Sequence, residues 1–179
     1  MRSTSGGWLE LRGPKGTSFV LSFTSKRQGA TSRSSCEAEV AAADYVIRKE
    51  VLPISYLIDT IIEARKGSHK APKKDSQLPS YLRSPPPHAA RSIPLFVWED
   101  NEAALLVLKG LLSKELKHVS RTHAIHVAFL QEVLKETGAS LAHVVTSEQK
   151  ADIFTKEFVD VGKWQTLLDL LGLTTSSST

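Results

Sequence analysis

A single cysteine, Cys36, is all the sequence contains. That excludes an internal disulfide framework and fits a reducing compartment. The residue is expected to act as a small, half-buried side chain. Long apolar runs are missing too: the greasiest, "VLPISYLIDTII", is about twelve residues long and carries Pro53 and Asp59. It is too short and too interrupted to span a bilayer. "MRSTSGGWLE" has no apolar core behind its one arginine, so no signal peptide is visible and a soluble chain is expected. Aspartate is absent before Asp44, a gap that matters below. What is present is ordinary: 41% apolar and 23% charged residues exclude wholesale disorder or a fibre. At 179 residues the chain suffices for one well-packed domain with an embellishment.

The formal charge of +4 is unevenly placed. Between residues 65 and 91, seven Lys/Arg face Asp75 alone, a net +6, which leaves −2 on the rest of the chain. The basic character therefore belongs to one segment, either a solvated loop or a phosphate-tracking one.

Punctuation along the chain suggests an order of elements. "GGWLELRG" and "SFVLSFTS", joined by "GPKG", read as an antiparallel hairpin. A helix should start near Ser35 with a serine cap, break or kink at Pro53, and resume from Ile54 to about Ala64. Residues 67–94 hold six prolines and no periodicity, which marks a Pro-rich basic insertion. It separates a first part, 1–66, from the remainder, 95–173, and 174–179 form a Ser/Thr tail expected to be disordered. "PLFVWED" and "SLAHVVT" read as strands. "NEAALLVLKG", "SEQKADIFTKEF" and "GKWQTLLDLLGL" read as helices. "SRTHAIHVAFLQEVLKETG" reads as a longer amphipathic helix with Ile125, Phe129, Val133 and Leu134 on one side. Helices between the later strands predict an α/β layer fold with a mixed β-sheet flanked by helices.

Three carboxylates stand out. On a helix, Glu39 has Ala42, Ala43, Val46 and Ile47 as its face neighbours, all apolar. Glu37 has the mixed set Val40, Ala41, Asp44 and Tyr45. Glu39 is therefore expected to point inward and Glu37 to remain on the mixed face. A carboxylate on a packed face is costly unless paired or metal-bound. Asp100 lies where an apolar strand meets a helix, a position suited to a sheet-rim site or to plain N-capping. Asp152 lies in a helix's first turn, where Thr146 and Gln149 suit a capping box. Three such acids at three element edges would suit Mg²⁺ and in-line phosphodiester hydrolysis.

At these residues the sequence resembles the ribonuclease H domain at the C-terminus of copia-type retrotransposon polyproteins. The matching runs, in order, are "RSTSGGW", "SFTSKRQGATSRSSCEAEVAAA", "VWEDNEAALLVLKG", "HVSRTHAIHVAFLQE", "VVTSEQKADIFTK" and "LLDLLGL". The resemblance implies a ribonuclease H-like fold that cleaves the RNA of an RNA–DNA hybrid with two Mg²⁺ (or Mn²⁺) ions. It also implies a reverse transcriptase domain of the same polyprotein as partner, and a cytoplasmic or nuclear setting. Glu39, Asp100 and Asp152 match the family's catalytic, metal-ligating acids. The candidate nucleic-acid contacts are Lys70, Lys73 and Lys74 of the basic segment and Arg121 of "SRT".

Departures temper the activity. The family's first strand, with an Asp-Ala-Asp-Trp-like motif, lies before "RSTSG" and supplies the aspartate shared by both metals; this sequence begins just after it. The expectation is a sheet lacking that strand, and a site short of one of four acids with little or no activity. Glu10 is the only acid in the first hairpin, and nothing marks it as a substitute. Trp98-Glu99 stands where the family has Tyr-Cys, and His123-Ala124 follow "SRT". The rival class is a non-catalytic retroelement remnant or a nucleic-acid-binding module. Zinc on His118, His123, His126 and His143 lacks a supporting cysteine or glutamate pattern.

Overall fold

A computed structural model describes residues 2–66, 92–111 and 122–173 of the chain. Lys70, Lys73, Lys74, Arg121 and His118, nearly all of the 67–94 insertion and the 174–179 tail lie outside the described residues.

The predicted hairpin is present: β1 (Thr4–Arg12) pairs antiparallel with β2 (Ser18–Arg27), with a register shift at Leu9/Glu10. Its turn is closed by the Gly13 N–H donating to the Thr17 carbonyl at 2.8 Å, and Gly16 takes φ +80°, which a residue with a Cβ adopts at a cost. Helix α1 (Ser35–Val46) starts at Ser34, whose side chain accepts from the Glu37 N–H. Pro53 does not break it. The chain passes through a π-helical turn, Ile47–Val51, directly into α2 (Leu52–Arg65). A helical proline clashes with the carbonyl four residues back, here Lys49. That residue sits in the wider turn, whose Leu52 N–H reaches the Ile47 carbonyl five residues back, and the ring is accommodated there.

Strand β3 (Phe96–Glu99) leads into α3 (Glu102–Leu108), then α4 (Val127–Glu136) and β4 (Ser140–His143), which pairs parallel with β3. Helix α4 starts later than the periodicity suggests. Ala124 is left-handed, φ 54°, which stops a helix from passing through it. Leu130 and Leu134 are buried and Phe129 faces out, 48% exposed. The "SEQKADIF" stretch forms two 3-10 turns, Thr146–Glu148 and Lys150–Phe154, where an α-helix was expected. Gln149 between them is extended, and neither turn has a side-chain cap. Helix α5 (Val161–Leu170) closes the described chain.

The α/β class holds, but one mixed sheet does not form. The described strands make two separate two-stranded sheets, β1–β2 and β3–β4, because no described strand bridges β1 to β3. The helices hold the halves together. Val40, Ala41, Ala104, Val107 and Ile125 join α1 to α3 and the residues before α4. Ile47, Val51, Leu108, Leu130 and Leu134 form a second cluster, onto which Leu9, Val97 and Leu141 of the strands pack. Each fully buried leucine contributes about 1.5–3 kcal/mol. Among the described residues no helix is long and apolar enough to cross a membrane.

Candidate functional site

Strand β1 reaches the site by close approach. A Cβ on Gly6 would lie 2.5 Å from Thr155 Cγ2 and 2.8 Å from the Ala151 carbonyl. One on Gly7 would lie 2.5 Å from Val46 Cγ2. The two glycines therefore let β1 pass between α1 on one face and the second 3-10 turn on the other. This brings Glu39 of α1 and Asp152 of that turn to one cavity of about 670 Å³, where Asp100 follows β3.

The three predicted acids are thus brought together. Burial raises the Glu39 carboxyl above its ordinary value, and the charges of Asp100 and Asp152 raise it further, with Lys156 opposing. Burial likewise raises Asp152, against the hydrogen bond and charge of Lys156 and with Asp100 adding to the rise. Lys156 donates to Asp152 Oδ2. Among the described residues the Glu39 and Asp100 carboxylates make no hydrogen bond or ion pair. The capping alternatives fall away. Asn101 caps α3 by accepting from the Ala104 N–H at 3.0 Å, and the Thr146–Gln149 box does not form. Asp100 is left to the cavity, its carbonyl accepting from His143 Nε2 at 3.1 Å.

Glu37 corrects the sequence reading. It is fully buried, while Glu39 is only half-buried. Helix α1 has two packed faces, and Glu37 serves the one away from the cavity. Its Oε2 accepts from the Arg33 N–H at 2.7 Å, and its Oε1 lies 3.0 Å from His123 Nε2 and 3.2 Å from Thr122 Oγ1. This pins residues 122–123 to the start of α1, a structural task. The "SSCE" run, with serine three residues before glutamate, resembles a capping box and signals only the Ser34 cap and a glutamate turned back to the helix start.

Glu99 was missed as a site residue. It is 8% exposed and lines the same cavity. Its carboxyl is pushed up to about 7, chiefly by burial and further by the charges of Glu39 and Asp100, while hydrogen bonds from the Asn101 and Asp100 N–H groups oppose the rise. Period-2 parity gave the signal: Phe96 and Trp98 face out, so Glu99 faces in with Val97. Glu10 is no substitute acid. Burial would raise it, but hydrogen bonds from Lys150, Trp8 and Arg12 outweigh burial and hold it below the ordinary range. Lys150 Nζ is 2.7 Å from its Oε2.

The oxygen donors are of the type a hard divalent cation takes. They do not close on one point: among the described residues no three His, Cys, Asp or Glu side chains are grouped closely enough to hold a metal ion. Comparison of the chain with family models, curated proteins and solved structures finds no match.

Proposed function

We propose that the chain is a ribonuclease H-type domain of a copia-type retrotransposon polymerase, acting on RNA–DNA hybrid, whose site turns over weakly or not at all within these 179 residues. One observation carries the reading: Glu39, Asp100 and Asp152, far apart in sequence, meet at one cavity, where the charges of Asp100 and Asp152 raise the proton affinity of Glu39 and that of Asp100 raises Asp152. Like charges converging on a cavity favour a bound cation.

Glu39, Asp100 and Asp152 would hold Mg²⁺ or Mn²⁺, and such ions supply an activated water and charge stabilisation for phosphodiester hydrolysis. Weak turnover follows from the chain's own residues. The acids do not close into a ligand group, and Lys156 already neutralises Asp152. The same two observations favour the second reading, a non-catalytic remnant. The reverse transcriptase partner and the phosphate contacts of Lys70, Lys73, Lys74 and Arg121 belong to this proposal through the sequence resemblance.

A labelled RNA–DNA hybrid incubated with the purified chain and Mg²⁺, with Asp100→Asn as control, tests it. Trace cleavage that disappears in D100N is the expected result. Hybrid binding without any cleavage selects the remnant reading, and robust cleavage abolished in D100N overturns the predicted weakness. Cleavage that D100N leaves intact overturns the assignment of the site.

A further inference from the structure

Beside the acid cavity the hairpin carries a ladder of aromatic rings. Phe154 stacks on Phe23 with centroids 5.6 Å and planes 9° apart, and on Trp8 at 6.2 Å and 19°. Lys150 Nζ lies over the Trp8 ring, 5.6 Å from its centroid. Both strands hold the ladder in place. Ser25 Oγ donates to the Phe154 carbonyl at 2.7 Å, and Gly6 lets the turn that carries Phe154 come close to β1. Phe23 ends the ladder on β2 and is 65% exposed. Single exposed apolar side chains are ordinary. This one is a ring already oriented by its stack, so a ligand that covers it has little side-chain freedom to freeze.

Register sets its neighbours. Trp8 pairs with Phe23, Gly6 with Ser25 and Thr4 with Arg27, so Phe23, Ser25 and Arg27 share one face. Arg27 is exposed and lies about 13 Å along the strand from Phe23. Although the chain outside residues 65–91 is acidic in sum, the hairpin from Thr4 to Arg27 is basic: Arg12, Lys15, Lys26 and Arg27 stand against Glu10 alone. Glu10 is taken up by Lys150 at 2.7 Å and Arg12 at 2.5 Å. An open ring near a guanidinium, on a hairpin whose one acid is neutralised, suits a ligand with a flat π-face and negative charge. A neutral sugar or an apolar peptide would cover the ring and leave the guanidinium unmatched. A nucleic-acid strand offers both features when its bases are unpaired, since each base has a face to stack and each phosphate a charge.

We propose that Phe23 and Arg27 form a contact for single-stranded nucleic acid on the hairpin, with a base stacked on Phe23 and a phosphate of the same strand at Arg27. Neither residue lines the acid cavity, so the contact is separate from it and holds whatever reaction the carboxylates support. A duplex keeps its base faces in its own stack and has none to give to Phe23.

Fluorescein-labelled oligo(U) and oligo(dT) of about ten nucleotides, long enough to reach both residues, are titrated into the full chain in EDTA at several salt concentrations and followed by anisotropy. Both should bind saturably, and a labelled duplex of the same length at least about fivefold more weakly. Phe23→Ala should weaken binding at least about fivefold with an unchanged salt slope, and Phe23→Trp should restore it to within about twofold. Arg27→Gln should weaken binding and flatten the slope of log K against log salt by about 0.7, the value of one phosphate contact on a single strand. This exposed position reads the proposal independently of the folding of F23A. Asp100→Asn should bind at least as well as wild type, which separates the contact from the cavity. Five results overturn the proposal: no saturable binding of either oligonucleotide; duplex bound as tightly as single strand; affinity indifferent to F23A or to R27Q; a loss in F23A that tryptophan does not restore; or self-association of the chain that F23A abolishes, which would put a second copy on the ring.

Discussion

Replacing Glu99 by glutamine should make the protein more stable at high pH and leave it unchanged at low pH. The Glu99 side chain is buried, and its carboxyl is pushed from the ordinary 4.5 to about 7, first by burial and then by the charges of Glu39 and Asp100. The sign follows from proton counting. Below pH 4.5 the folded and unfolded forms both hold the proton, so the group is neutral to stability. Between 4.5 and about 7 the unfolded chain releases it while the folded chain keeps it, so stability falls as pH rises. Above about 7 the full penalty applies, on the order of 3 kcal/mol. Glutamine keeps an acceptor oxygen for the Asn101 N–H, now bonded at 3.0 Å, and carries no charge to desolvate. Urea unfolding of wild type and E99Q, followed by tryptophan fluorescence in EDTA at pH 4.5 and 8, reads the difference directly. The expected result is equality within about 0.5 kcal/mol at pH 4.5 and a gain of about 3 kcal/mol for E99Q at pH 8. A pH-independent difference, or a less stable E99Q at pH 8, would refute the buried, acid-facing placement of this side chain.

Two further substitutions probe the backbone that builds the site. Gly6→Ala would put a Cβ 2.8 Å from the Ala151 carbonyl, a backbone atom that cannot step aside cheaply; a loss of about 1–3 kcal/mol in urea unfolding is expected, and an unchanged midpoint would contradict the close approach. Ala124→Gly relieves a left-handed alanine at φ 54° and should gain about 0.5–1 kcal/mol. A loss of stability there would mean that the residue is not left-handed in solution.

Most of the elements were legible because their signals are local. The hairpin, the Ser34 cap, the Gly110 stop after α3 and the strand before Asp100 each rest on a turn residue or a short pattern, and each stands close to where the sequence puts it. Of the break or kink expected at Pro53, the break does not occur, because a proline's cost depends on the turn beneath it and the π-helical turn at Ile47–Val51 accommodates the ring. Ala124 ended the helical pattern without a glycine or proline to announce it.

In the site, Glu39 was found for a partly wrong reason. The apolar neighbours suggested an inward Glu39 and left Glu37 on a mixed face, whereas α1 packs on two faces and buries Glu37 the more deeply. Helical periodicity assumes one dry face, and it fails on a helix wedged between a strand and the residues before α4. Glu99 was noted only as a departure from the family's Tyr-Cys pair, although strand parity alone sets it on the inward face beside Val97. The division of the strands into two sheets depends on long-range pairing, which local patterns do not encode.

The central proposal is that Glu39, Asp100 and Asp152 together draw a cation to their cavity, and titration with Mn²⁺ followed by electron paramagnetic resonance tests it most directly. Wild type should show one weak site, with a dissociation constant on the order of millimolar, weakened at least tenfold in both Asp100→Asn and Asp152→Asn. Binding that survives both substitutions unchanged, or no binding at concentrations well above that range, would contradict the account.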